Sequence, residues 1–211
     1  MKALVLSGEN HRFNESAPII QSFLDSHHDI DAELTDDKEA LKSLSGYDVC
    51  VLGTGFTRNV KNEDGSVDRV NDLEPDQEKG LFDYVSAGGG FVGVHGTGWW
   101  IPTRAVDLVG GHANWHPPGL TFTVDVDDSG HEVMSGVDSF EVDDEIYMSA
   151  WDPGIHVLAS AEWSNKRHPM AWTRSYGDGR VFYTTLGHGP GTFERPMMQK
   201  MMTNGALWAA G

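Results

Sequence analysis

Residues 88–98 read GGGFVGVHGTG. The glycines close a helical pattern, with Gly88 suited to a left-handed cap. FVGV is then a short apolar run of the kind buried in a parallel sheet, and His95 stands in the turn before Gly96, Thr97 and Gly98. A strand that runs straight into a glycine-flanked turn presents its turning residue over the sheet edge, as the nucleophile is presented in G-x-S-x-G enzymes. In Gly93-Val94-His95-Gly96-Thr97 that position holds an imidazole. Imidazole serves as base, acid or metal ligand but offers no thiolate for acyl transfer. Cys50, the single cysteine, lies in the apolar strand pattern YDVCVLG, which reads as a buried structural thiol and excludes an internal disulfide.

Working outward toward the N-terminus, YDVCVLG is preceded by a brief helix in DKEALKSL and an alternating strand in DIDAEL. Before these, ESAPIIQSFLDSHH places Ile19, Ile20, Phe23 and Leu24 on one helical face, with Ser16 as cap and Pro18 near the first turn. KALVLS opens the series as a buried strand. Such a β-α-β-α-β order predicts an α/β fold, a mostly parallel sheet with helices on both faces. Ligands of such sheets gather at the carboxyl ends of the strands. Residues 53–74 read as a long polar loop, mobile or functional. EPDQEKGLFDYVSAGGG is the helix before the opening stretch, with Pro75 in its first turn and Leu81, Phe82 and Val85 on one face.

Toward the C-terminus the pattern changes to short alternating strands: LTFTVDV, GIHVLASAE, HPMAWTRSY and GRVFYTTLG, with Gly-Asp-Gly at 177–179 as a hairpin turn. These predict antiparallel strands added to the sheet in the second half. A last helix repeats Met197, Met198, Met201 and Met202 at helical spacing, which reads as core filling. No linker-like segment interrupts the 211 residues, so one domain over 1–211 is expected.

The 32 acidic residues outnumber 15 basic ones, for a formal charge of −17. That field repels phosphate backbones and anionic membranes, so neither nucleic acid nor membrane is an expected partner. The acids are spread along the chain as a solvated surface, compatible with a salt-adapted source. No segment approaches the ~18 apolar residues of a membrane span, and MKALVLSG is too short for a signal-peptide core. A soluble cytoplasmic protein is expected, with a homo-oligomer among the states left open.

Candidate site residues follow from the strand ends. His11 follows the first strand, His95 the strand at 90–94, and His188 the segment GRVFYTTL, so all three stand just beyond carboxyl ends and are expected to converge on one cleft. With Glu145 in DDEIY they form a set suited to a divalent metal such as zinc, or to proton transfer by His95, His188 and Glu145. No local pair has the spacing of H-E-x-x-H. In VGGHANWHPPG, His112 and His116 are four apart, but the two prolines make the segment a loop rather than a helix. His112 is the preferred candidate of the two because it follows Gly110 and Gly111.

Seven tryptophans are many for this length. Trp99, Trp100 and Trp115 flank the histidine segments and offer flat apolar faces to a C–H-rich partner such as a sugar. Trp163, Trp172 and Trp208 sit in strand or helix patterns and read as core. Arg174 is a candidate for pairing with a ligand oxygen, or for a structural ion pair. A lone loop histidine is more often a surface residue, and His27, His28, His131 and His156 are read so. The absence of any G-x-x-x-x-G-K-[ST] gives a nucleotide site no support.

FVGVHG, GGHANWHPPG, HEVMSGVDSFEVDDEIY and above all PMAWTRSYGDGRVFYTTLGHG resemble signature segments of the trehalose-utilisation (ThuA-like) family, a similarity spanning nearly the whole chain. The resemblance implies a three-layer, flavodoxin-like fold similar to class I glutamine amidotransferases, with their cysteine nucleophile absent. It also implies a link to disaccharide or oxidised-sugar metabolism. His11 in HRFNES matches the family's first loop, and His95, Glu145 and His188 fall in the other matching segments. The expectation is a carbohydrate-related enzyme, a sugar isomerase or hydrolase with a histidine-rich site. The alternative is a non-catalytic carbohydrate-binding module on the same scaffold. An amidohydrolase using Cys50 ranks third.

Overall fold

The first strand, β1 (Lys2–Leu6), shows why the apolar runs lack alternation: Ala3 and Val5 pack into one core, Leu4 and Leu6 into a second on the opposite face of the sheet. The computed structural model describes residues 1–100 and 102–211. After β1 come α1 (Phe13–Asp25), β2 (Asp31–Thr35), β3 (Val49–Leu52), β4 (Thr57–Lys61), β5 (Val67–Asn71), α2 (Pro75–Ser86) and β6 (Gly90–Val94). Then follow α3 (Pro102–Val109), β7 (Gly111–Trp115), β8 (Leu120–Val126), β9 (Phe140–Asp144), β10 (Met148–Trp151), β11 (His156–Trp163), β12 (Lys166–Tyr176), β13 (Gly179–Thr184), α4 (Pro190–Phe193) and α5 (Pro196–Ala210).

Nine strands form one sheet in the order β2-β1-β3-β6-β13-β12-β11-β8-β9. The pairs from β2 through β13 are parallel and those from β13 through β9 antiparallel. The chain is thus an α/β protein with a mostly parallel first half and antiparallel strands added by the second. Successive strands leave β1 in opposite directions, β2 on one side and β3 on the other, so a crevice forms at their carboxyl ends. β13 returns from the antiparallel half to lie parallel beside β6, pairing Thr184 with Val94. Residues 90 positions apart in sequence thereby end on one rim.

α1 and α5 cover one face, where Phe13, Ile20, Met198, Met201 and Met202 join Val5, Val51 and Val92. α2 and α3 cover the other, with Leu81, Leu108 and Trp172 against Leu6, Cys50 and Phe91. Burying each such aliphatic or aromatic side chain contributes about 1.5–3 kcal/mol. Among the described residues no helix is long and apolar enough to cross a membrane.

Several local expectations are corrected. α1 begins at Phe13, whose ring is 1% exposed and anchors the helix start, so Ser16 lies buried inside the helix rather than capping it. DKEALKSL contributes a single 3-10 segment, Lys38–Lys42, with the Asp37 carboxylate accepting from the Glu39 N–H. The polar stretch 53–74 holds the antiparallel hairpin β4–β5 rather than a loop. A two-stranded ribbon with mostly exposed faces needs no apolar alternation, so its pattern is silent. GGHANWH likewise is no loop: β7 pairs antiparallel with β10 and stops before Pro117. Trp163 is only partly buried, packing 6.2 Å from the exposed Trp115.

Candidate functional site

Parallel strands deliver their following residues to one rim, and the turn after β6 shows how tightly that rim is built. His95 has φ +36°, in the left-handed region that side chains rarely occupy. A Cβ on Gly96 would lie 2.5 Å from the Gly53 carbonyl oxygen, and one on Gly98 would collide with the Tyr183 hydroxyl. Only glycine therefore fits at positions 96 and 98. The Tyr183 hydroxyl donates to the His95 carbonyl at 2.9 Å. His95 Nδ1 faces the Thr185 carbonyl at 2.7 Å, an acceptor, which assigns the ring proton to Nδ1 and leaves the lone pair on Nε2. The Tyr147 hydroxyl donates to that Nε2 at 2.5 Å. His95 is 1% exposed, so the turn places the imidazole at the rim under a roof of other rings instead of displaying it to solvent.

His11 and His188 form that roof. The His11 ring stands edge-on to His95 at 5.0 Å, and His188 lies 5.3 Å from His95 and 6.2 Å from His11. One ring nitrogen from each of the three lies within 4.8 Å of the others. Glu145 closes the group: Oε1 is 3.3 Å from His188 Nδ1 and 3.4 Å from His116 Nδ1, while Oε2 is 3.6 Å from His95 Nε2. Oε2 is buried without a hydrogen-bond partner. Beneath it, the buried Asp144 carboxylate accepts from the N–H groups of Glu145, Gly187 and His188 and from the Thr192 hydroxyl, at 2.6–3.2 Å. One side chain thus ties the end of β9 to the segment after β13.

Trp99 forms a wall, its ring centroid 6.3 Å from His11, 5.9 Å from His116 and 5.6 Å from Tyr147. Its buried indole N–H lies near the Tyr147 hydroxyl without a well-formed hydrogen bond. Beside the cluster opens a cavity of about 520 Å³, lined by Arg12, Leu120, Asp143, Glu145, His188 and Thr192.

Burial dominates the protonation states. It lowers His11 and His95 to about 3, with neighbouring imidazoles adding to the effect. Burial raises the Glu145 carboxyl, against the pull of His188 and His116. Asp144 is also pushed up by burial, opposed by its four donors, and Tyr147 lies well above the usual phenol range for the same reason. Neutral imidazoles with free lone pairs are the form that binds metal. The ring nitrogens of His11, His95 and His188, beside the unpartnered buried oxygen of Glu145, could hold a zinc-class ion, which would take the His95 Nε2 lone pair now engaged by Tyr147.

Of the residues named from sequence, the structure brings together His11, His95, His188, Glu145 and Trp99. Trp100 is not in the cleft: it is 0% exposed and donates its indole N–H to Asn71 Oδ1 at 3.0 Å. Adjacent residues of a tight turn face opposite ways, so one tryptophan lines the cleft and the next fills the core. Trp115 is 54% exposed and packs on Trp163, away from the histidine rings. Arg174 is held at the end of α3, donating to the Val106 carbonyl at 2.8 Å. His112 contacts Asn114 at 3.3 Å and lies behind Trp99. The preference for it over His116 is reversed, because β7 ends at Trp115 and delivers His116 to Glu145. Of the histidines read as surface residues, His27 and His28 cluster with Asp29 after α1, and His156 pairs with Asp128 on the surface.

Tyr147 and Asp144 escape the sequence reading. For Asp144 a signal exists: in FEVDD the period of two places it on the same face as the buried Phe140 and Val142. For Tyr147, beyond the end of β9, the sequence holds none.

The chain matches the family ThuA, trehalose utilisation, over residues 2–209. It belongs to the ThuA family. Among solved structures, a ThuA-like protein from Parabacteroides merdae is 20% identical and superposes with a TM-score of 0.76, covering 99% of this chain and 89% of that one. A cytoplasmic protein from Salmonella typhimurium LT2 gives 0.66 at 15% identity, with 99% and 97% covered. A Thermoplasma acidophilum protein described as a component of GMP synthase gives 0.57 at 14% identity, with 99% and 95% covered. At such identities the likeness is one of fold: this ThuA-family chain shares its α/β architecture with these three proteins. No curated protein matches the chain significantly.

Proposed function

We propose that this ThuA-family protein is a sugar-processing enzyme, an isomerase or hydrolase of a disaccharide or keto-sugar. His11, His95 and His188 would hold a divalent ion of the zinc class. The observation that carries the reading is the meeting of three imidazole nitrogens within 4.8 Å beside the unpartnered oxygen of Glu145. When bound, such an ion supplies Lewis acidity toward a sugar carbonyl or hydroxyl.

The chain's own residues handle substrate and protons. Glu145, with its carboxyl raised by burial, exchanges a proton with a sugar hydroxyl or ring carbon. His188, exposed at the cleft mouth, keeps its Nδ1 3.3 Å from Glu145 and so orients that carboxylate toward the substrate. Tyr147 holds its hydroxyl on His95 Nε2 and so fixes the ring; were that nitrogen taken by an ion, the hydroxyl would be free to donate its proton to the sugar. Trp99 gives the C–H face of the sugar a flat apolar wall, and Asp144 keeps Glu145 and His188 in register. The family description and the Salmonella neighbour's label support a small carbohydrate as partner and the cytoplasm as location.

The test combines elemental analysis with product detection. Protein purified without chelator is expected to carry about one equivalent of divalent metal, lost in His11→Ala and His95→Ala. It is also expected to convert an oxidised disaccharide, followed by mass spectrometry. Absence of metal, together with wild-type behaviour of His95→Ala and His188→Ala toward every sugar tried, overturns the reading. Thermal stabilisation by sugars with no product identifies a non-catalytic carbohydrate-binding module instead.

A further inference from the structure

With 32 carboxylates for 15 cationic side chains, an arginine in this protein readily finds an acid. Arg12, Arg58, Arg104, Arg167 and Arg195 each sit within 4.0 Å of a carboxylate. Arg174 and Arg180 donate to backbone carbonyls. Among the described residues Arg69 is the arginine with neither: its Nε donates to the Thr57 hydroxyl at 3.1 Å, and its two terminal amino groups have no protein acceptor.

Its position is specific. Arg69 and Asn71 lie on one face of β5, the face on which Arg69 reaches Thr57 and Asn71 accepts the Trp100 indole N–H. That face of the hairpin therefore sits on the turn 95–100, and the Arg69 guanidinium carbon lies 5.7 Å over the Trp99 ring. Stacking on an indole orients a guanidinium plane while leaving its edge free. Trp99 is the wall shared with His11, His116 and Tyr147, so the free edge stands at the rim of the same cleft.

We propose that Arg69 is a specificity-determining residue that binds a carboxylate on the sugar, making the substrate of this cleft an acidic sugar of the aldonic or uronic class. The inference rests on the reading of the cleft as a carbohydrate site. A guanidinium edge matches a carboxylate through two parallel hydrogen bonds. A phosphate dianion, which calls for more positive charge than a carboxylate, fits less well, because among the described residues Arg69 is the one arginine with neither a carboxylate nor a carbonyl partner. The long-range field of a chain with charge −17 opposes any anion, so a local guanidinium is what lets an acidic sugar settle.

Calorimetric titration of the protein as purified tests this with two matched pairs, glucuronate against glucose and lactobionate against lactose, and with inorganic phosphate. Wild type is expected to bind each acid at least about tenfold more tightly than its neutral counterpart. Arg69→Met is expected to erase that preference while leaving the neutral sugars' affinity unchanged, and Arg69→Lys to recover part of it. Equal binding of acid and neutral sugar by wild type, a preference that survives in Arg69→Met, or phosphate binding as tightly as the acids overturns the inference and leaves the sugar cleft standing. Failure of all four sugars to bind wild type overturns both.

Discussion

His95 occupies a backbone conformation that ordinarily belongs to glycine, and hydrogen bonds hold its carbonyl and both ring nitrogens. Its partners make the sharpest single-residue prediction. Tyr147→Phe removes only the hydroxyl on Nε2, so kcat on the turned-over sugar should fall by about 10²-fold or more, with KM little changed. Steady-state kinetics checks this, and an unchanged kcat would reduce Tyr147 to packing. Cys50 offers the opposite case. Burial pushes its thiol up to about 12, so a disulfide reagent near neutral pH should leave the native protein unlabelled and react fully once it is unfolded. Rapid labelling with loss of activity would restore thiol chemistry as a contender. At this scale the sequence reveals residues whose position is fixed by the end of an apolar strand, His11, His95 and His188. It hides those whose role depends on what crosses above them. His116 meets Glu145 and Tyr147 because β7 and β10 pair over the rim.

At the level of elements, the turn after β6 is built for closeness. Gly96→Ala would set a methyl 2.5 Å from a backbone oxygen and 2.9 Å from the His11 ring. Backbone yields little, so the substitution should destabilise by about 2 kcal/mol or more and move His11 away from His95. Urea unfolding reads the first effect and metal content the second; wild-type values in both would show that the turn relaxes. Asp144 is the other junction, since four donors from three segments converge on it. Asp144→Ala strands those donors in a buried place and should lower stability by about 3 kcal/mol in the same assay. The elements legible in sequence are those buried on two sides, whose apolar runs are continuous: β1, β3 and β6. The β4–β5 hairpin and β7 are hidden for the converse reason, since short ribbons over a rim bury too little to imprint a pattern.

Across the whole molecule, the convergence of the site is a consequence of one topological step. GRVFYTTLG reads as one more antiparallel strand, and β13 is indeed antiparallel to β12, yet its other edge is parallel to β6. That insertion carries His188 to within ring contact of His95, and no local pattern announces which strand β13 will choose. Charge acts at this scale too. With 32 acids and 15 bases, more than half the carboxylates lack a possible cationic partner, and one cation, Arg167, already serves both Asp125 and Asp127. Added salt weakens these exposed pairs, each worth about 0–1 kcal/mol, but it also screens the more numerous repulsions among unpaired acids. Repulsion is the larger sum, so the melting temperature should rise by several degrees as sodium chloride is raised from a tenth-molar buffer toward molar. Sucrose of matched osmolality separates screening from general exclusion effects. A melting temperature that falls with salt would mean that the paired surface, rather than the excess of acids, governs the stability of this fold.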